Sequence, residues 1–252
     1  MGNNSILNYN KQIDGLRCFA VLGVLLFHFV HFDNVYLKSL PLGQGVDLFF
    51  VISGYLITKI LLINKEKINK KETTFKQVIK SFYYRRSIRI FPIYYLLIVF
   101  LLLIDFQNTT KVWEWLITYT TNIYISIDHH PYIGSFNHLW SLAVEEQFYL
   151  IWPFLILLIP IKHIEKTIAI FILSSLLFKV FFYQSFGYST AINALTISCA
   201  DSLGFGALVA YWSLYRESLV TKINNIKFIL LIAFLPFIYF VRFPKSFDFI
   251  AV

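Results

Sequence analysis

Charge is scarce in this chain of 252 residues: Asp, Glu, Lys and Arg make up 14% of it, against 58% hydrophobic residues. A soluble domain of this length would have to cover its core with a far more polar surface, so the composition excludes one and directs attention to membrane spans. Acidic residues are fewer than basic ones, 14 against 22, for a net charge of +8. In a soluble protein that excess would suggest nucleic acid, but here the topology below accounts for it and no nucleic-acid partner is expected. Cysteine is rarer still. Cys18 falls near one face of the expected membrane and Cys199 near the other, which excludes a disulfide between them and leaves both as packing residues. Ten glycines and seven prolines form no linker, and there is no internal repeat or low-complexity tract. The expectation is a single integral membrane domain over residues 1–252.

What the chain does have is long apolar runs. They lie at about 15–31, 44–63, 90–104, 138–160, 167–183, 199–215 and 226–241, and predict an all-α, polytopic transmembrane helix bundle of about seven spans. The first run lacks a small-residue cleavage site and contains Arg17, His28 and His31, so it is read as a retained span rather than a signal peptide. With the amino terminus in the cytoplasm, Lys11, Arg17, nine cations between 64 and 89, Lys162, Lys166, Arg216, Lys222 and Lys227 lie inside. Outside lie Lys38, Lys111, Arg242 and Lys245, while Lys59 and Lys179 fall within spans and are expected to snorkel. The stretch "VWEWLITYTTNIYI" at 112–125 is apolar enough for an eighth span. Counting it would carry five later cations outside, so it is read as a re-entrant or interfacial segment.

Ionisable residues inside such runs are costly and normally face a bundle interior or a wet cavity. Arg17 and His28 are eleven residues apart, about three helical turns, so they share a helix face with roughly 16 Å between them. His28 lies near the middle of the hydrocarbon, where burial keeps an imidazole neutral, the state a general base or acyl acceptor needs. A hydrogen bond between helices is the alternative role for it. The second run places Asp47 near its outer end and Ser53 and Gly54 in its middle; small residues there also permit close helix contact. In the fourth run His138, Ser141, Glu145 and Tyr149 fall on one face, while Glu146 points about 100° away. The shared stripe favours Glu145 as the carboxylate that looks into a polar cavity. Between the second and third runs, Arg85, Arg86 and Arg89 cluster where the basic loop enters the membrane. Guanidinium groups suit phosphate through paired hydrogen bonds, with lipid headgroups as the competing partner. The loop "DHHPYIGSFNH" brings His129, His130 and His138 together without tight ligand spacing, so no metal site is expected.

Four stretches, in order, resemble the membrane acyltransferase-3 family, the polysaccharide and peptidoglycan O-acetyltransferases of bacterial membranes: "IDGLRCFAVLGVLLFH", "GVDLFFVISGYLIT", "YRRSIRIFPIYY" and "HLWSLAVEEQFYLIWP". The resemblance implies a bacterial cytoplasmic-membrane enzyme that takes an acyl group from cytoplasmic acetyl-CoA, a donor substrate rather than a tightly bound cofactor, and passes it to a hydroxyl of a cell-surface glycan. It implies that Arg86 and Arg89 contact CoA phosphates, that Arg17 helps anchor the donor, that His28 and Glu145 serve the acyl transfer, and that Asp47, Ser53 and Gly54 line the path. The family usually has about ten spans and a later "SYxxYxxH"-like segment, so this chain is expected to be short at its carboxyl end. Cys199 stands where the family often has an arginine, two residues before Asp201. A transporter that uses the same buried groups as a proton relay, or a regulatory or inactive fragment of an acyltransferase, is the alternative reading.

Overall fold

The computed structural model describes residues 11–29, 45–127, 136, 138–187 and 189–216. The described residues are helical and contain no strand, as an all-α membrane protein requires. In chain order the helices are α1 (Lys11–Phe29), α2 (Gly45–Asn69), α3 (Phe75–Leu103), α4 (Trp113–Ile117), α5 (Thr121–Ile127), α6 (Leu139–Leu158), α7 (Ile161–Phe186), α8 (Ala191–Ala194) and α9 (Ala200–Tyr215). Among the described residues, α2, α3, α6 and α7 are long and apolar enough to cross a membrane. Helices α1 and α9 occupy the expected first and sixth spans, and the expected seventh, 226–241, lies outside the described residues.

Two compact units emerge, one of residues up to Ile60 together with those from Ser202, the other Leu61–Asp201. In the first, α2 and α9 approach at two glycines. A Cβ on Gly54 would come within 2.0 Å of the Leu203 carbonyl oxygen, and one on Gly206 within 1.9 Å of that of Val51. Small residues allow this backbone contact, which lipid-embedded helices need because they gain little from apolar burial against one another. Asp47 is buried in the same unit and accepts a hydrogen bond of 3.1 Å from Ser202 Oγ. On α1, Ala20 is buried while Phe19, Val21, Leu22 and Leu26 are exposed.

The second unit carries two ends that can be told apart. At one, the Lys65 ammonium donates to the carbonyls of Ile156 (2.8 Å), Leu157 (2.8 Å) and Ile159 (2.5 Å), satisfying the last acceptors of α6. Nearby in sequence, Thr74 opens α3 with a capping box: its side chain accepts from the Gln77 N–H, and Gln77 accepts from the Thr74 N–H. That box starts the helix 15 residues before the expected span, so Arg85, Arg86 and Arg89 are helical rather than part of a loop. At the other end, Phe106–Lys111 is a 3₁₀ turn, followed by α4 and α5. Thr118 to Thr120 interrupt the apolar stretch 112–125, and Tyr119 takes a left-handed φ of 53°. The stretch therefore does not cross as one helix. Instead Val112, Leu116, Tyr119 and Ile125 pack with Tyr94, Ile98, Leu139 and Ala143.

Lys179 corrects the expectation that it snorkels. It is buried on the stripe of α7 formed with Ile164, Ile168, Ile172 and Ser175, and its ammonium pairs with the buried carboxylate of Asp201. A partner inside the protein removes any need for the side chain to reach the interface.

Candidate functional site

Helix α6 brings its polar residues out at two levels. His138 precedes its first turn and is exposed, and its carbonyl accepts a 2.9 Å hydrogen bond from Ser141 Oγ. Two turns further on, Tyr149 donates from its hydroxyl to Glu145 Oε2 at 3.0 Å. An i, i+4 spacing puts the two side chains one above the other, as the shared face in the sequence requires.

The Arg86 guanidinium of α3 covers this pair. Its carbon lies 4.4 Å from the centre of the Tyr149 ring and 6.0 Å from that of Phe82. Face-on contact of this kind is attractive and leaves the planar N–H edge free to bond other groups. Arg86 is half-buried, whereas Arg85 and Arg89 on either side of it are exposed. Tyr149 lies halfway along α6, about 15 Å from either end by helical rise. Because α3 begins early, Arg86 therefore reaches the middle of the helix pair, deeper than the membrane entrance to which the sequence assigned it.

Glu146 turns to a different side, as its offset dictates, and meets the displaced segment between α4 and α5. Its Oε1 is buried and has no hydrogen-bond partner among the described residues. Arg86 and Glu145 are the charges that act on it, and its own charge reaches Tyr95 and Tyr119. Tyr119 is held there from several directions. Its ring stacks on Tyr94 with centres 4.2 Å apart, and its carbonyl accepts 2.9 Å from Gln147 Nε2. Gln147 also donates to Asn122 Oδ1 at 2.9 Å, and Asn122 Nδ2 donates to Thr196 Oγ1 at 3.1 Å. Burial, with Tyr94 and Glu146 beside it, pushes the Tyr119 phenol up, so that it remains a hydrogen-bond donor at all ordinary pH. The sequence passed over Tyr119 and set Glu146 aside. A signal was present in the polar cluster Thr118, Thr120, Thr121 and Asn122, which interrupts an apolar run where a break is to be expected.

The remaining sequence candidates divide. Arg17 makes a partly exposed pair with Asp14 at 3.8 Å, one turn away. Asp47 and Ser53 are buried, and Gly54 marks the α2–α9 contact. His28 belongs to α1, but its side chain lies outside the described residues, as do His31, His129 and His130. Asp201 finds a cation in Lys179 of α7, although residue 199 is a cysteine.

Residues 10–250 match the family model described as an acyltransferase domain. The peptidoglycan O-acetyltransferase OatA of Listeria monocytogenes is 31% identical over 83% of this chain and 35% of its own length. A Staphylococcus aureus protein provisionally named as an O-acetyltransferase is 31% identical over 90% of this chain and 40% of its own. YrhL of Bacillus subtilis, provisionally named as a peptidoglycan O-acetyltransferase, is 33% identical over 83% of this chain and 34% of its own. The chain thus spans roughly a third to two fifths of the length of these curated relatives. No solved structure matches.

Proposed function

This chain belongs to the membrane acyltransferase-3 family, and from that premise we propose that it transfers an acyl group, acetyl in the first instance, from cytoplasmic acyl-CoA to a hydroxyl of a cell-surface glycan. The setting is the bacterial cytoplasmic membrane, with the amino terminus in the cytoplasm. Relatives that bear the names of O-acetyltransferases, two of them of peptidoglycan, support the acceptor class.

One observation carries the reading: a guanidinium, a phenol and a carboxylate meet in series at Arg86, Tyr149 and Glu145, halfway along an apolar helix pair. Ions and hydrogen-bonding groups at such depth are expensive, and by default they mark a substrate or ion pathway. Arg86, with Arg85 and Arg89 beside it, supplies the charge that phosphates of a CoA donor require, and Arg17 adds to it. The transfer itself forms a bond between the acceptor oxygen and the acyl carbon and breaks the thioester C–S bond, releasing CoA as its thiol. The proton of the attacking hydroxyl passes to His28 or Glu145. Asp47 and Ser53 in the first unit, and His138 and Ser141 in the second, are the polar groups offered to the substrates, while Gly54 serves the α2–α9 contact. The chain keeps no tightly bound cofactor, since acyl-CoA enters as donor and leaves as CoA.

Calorimetric titration of acetyl-CoA into the detergent-purified chain tests this. The wild type should bind, an Arg86→Ala, Arg89→Ala double variant should lose at least tenfold in affinity, and His28→Ala should bind normally yet transfer nothing. A folded wild-type chain without affinity for acetyl-CoA would overturn the donor assignment.

A further inference from the structure

Among the buried polar atoms of the second unit with no hydrogen-bond partner in the described residues are the Tyr119 hydroxyl, Thr121 Oγ1 and Glu146 Oε1, and the first and last of these are left over by the donor chemistry. Burying such groups unpaired is costly, about 1–3 kcal/mol for each. They are also chemically complementary to one kind of guest, because the phenol donates and the carboxylate accepts, while a hydroxyl group does both. The two residues belong to one neighbourhood. Gln147, the neighbour of Glu146 in sequence, donates to the Tyr119 carbonyl at 2.9 Å, and the Glu146 charge acts on the Tyr119 phenol.

Tyr119 is also the bulky residue among those held in the left-handed region, at φ 53°. A large side chain adopts that conformation only when its surroundings force it to, and such outliers gather at functional sites. Here the forcing groups are the Tyr94 ring and the Gln147 amide. They fix the phenol without satisfying its hydroxyl.

Through Glu146 the pair lies within electrostatic reach of Arg86 and Glu145, but it opens toward another side of α6. Glu146 lies on the half of α6 nearer Leu139, on the side of α4 and α5, away from the Lys65 end. We infer that Tyr119 and Glu146 together hold a hydroxyl of the acceptor glycan, Tyr119 Oη donating to the hydroxyl oxygen and Glu146 Oε1 accepting its hydrogen. This deepens the proposed O-acyl transfer and rests on it. Tyr119 and Glu146 are acceptor-binding residues, distinct from the arginines that serve the donor.

The full chain in lipid nanodiscs, given labelled acetyl-CoA and glycan strands solubilised from peptidoglycan, tests the inference. Tyr119→Phe keeps the ring stacked on Tyr94 and removes only the hydroxyl. It should lower kcat/KM for the strands by tenfold or more, with acetyl-CoA affinity within twofold of wild type. Glu146→Gln, which keeps an acceptor oxygen, should retain more strand affinity than Glu146→Leu. A Tyr119→Phe chain with wild-type kcat/KM for the strands would mean that the pair holds only water, and would overturn the inference while leaving O-acyl transfer standing. Loss of acetyl-CoA affinity in step with strand affinity would expose a merely structural role and overturn it as well. A wild-type chain that binds acetyl-CoA but acetylates no strand would sink the acceptor reading itself, and the inference with it.

Discussion

An ammonium group inside an apolar helix needs either a route to water or an anion, and Lys179 has the anion. It is buried on α7 against Asp201, with Ser175 Oγ donating to the nearby Ser198 carbonyl at 2.8 Å. Removing one partner of a buried pair strands the other charge, and that loss is larger than the net worth of the pair. Lys179→Met should therefore destabilise the chain by about 3–5 kcal/mol, and adding Asp201→Asn should restore part of the loss. Denaturant unfolding in detergent measures both, and a double variant no more stable than the single one would show that the pair is not what the helices lean on. Residue periodicity could identify Lys179 as intramembrane but not its partner, which comes from 22 positions later on another element. The same limit explains the site. The i, i+4 link of Glu145 and Tyr149 was legible because one helix makes it, whereas Arg86 over Tyr149 and Gln147 against Tyr119 depend on how separate elements meet.

At the scale of elements, the apolar runs located the helices well and their ends poorly. α6 and α9 fall within two residues of the expected limits at either end, but α3 extends 15 residues upstream of its expected start. Hydropathy marks the part of a helix that lies in lipid. It does not register a capping box or a basic but helix-favouring stretch, and Thr74 with Gln77 decided that boundary. Asp105 shows a similar local device after α3. Its carboxylate accepts from the side chain and backbone of Thr110, which lowers its pKa from the ordinary aspartate value. A depressed pKa contributes stability above that ordinary value, and the contribution disappears as acid protonates the folded form. Between α2 and α9, the two glycines leave no room for a side chain, since the nearest carbonyl oxygens would lie about where a Cβ must go. Gly206→Leu should force the helices apart and cost at least the roughly 1–3 kcal/mol typical of overpacking. A Gly206→Leu chain with unchanged thermal stability would mean that the contact is slack.

Across the whole molecule, the distribution of cations predicts one orientation in the membrane, and the second unit turns that statement about sequence into one about ends. Lys65 ties the basic segment before α3 to the carboxyl end of α6, which leads directly into Lys162 and Lys166. The opposite end, with the 3₁₀ turn, α4 and α5, carries Lys111 as its single Lys or Arg between residues 104 and 127. Lysine and arginine near short connections remain on the cytoplasmic side during insertion, so the Lys65 end should face the cytoplasm and the Tyr119 end the exterior. Cysteine labelling tests this with Cys18→Ser and Cys199→Ala as the background. Glu72 and Lys111 are both exposed and stand at the two ends. Glu72→Cys should react with a membrane-impermeant maleimide only after the cells are permeabilised, and Lys111→Cys should react in intact cells. The reverse pattern would place the arginines of α3 on the side where acyl-CoA is absent, and donor binding at Arg86 would then have no substrate to act on.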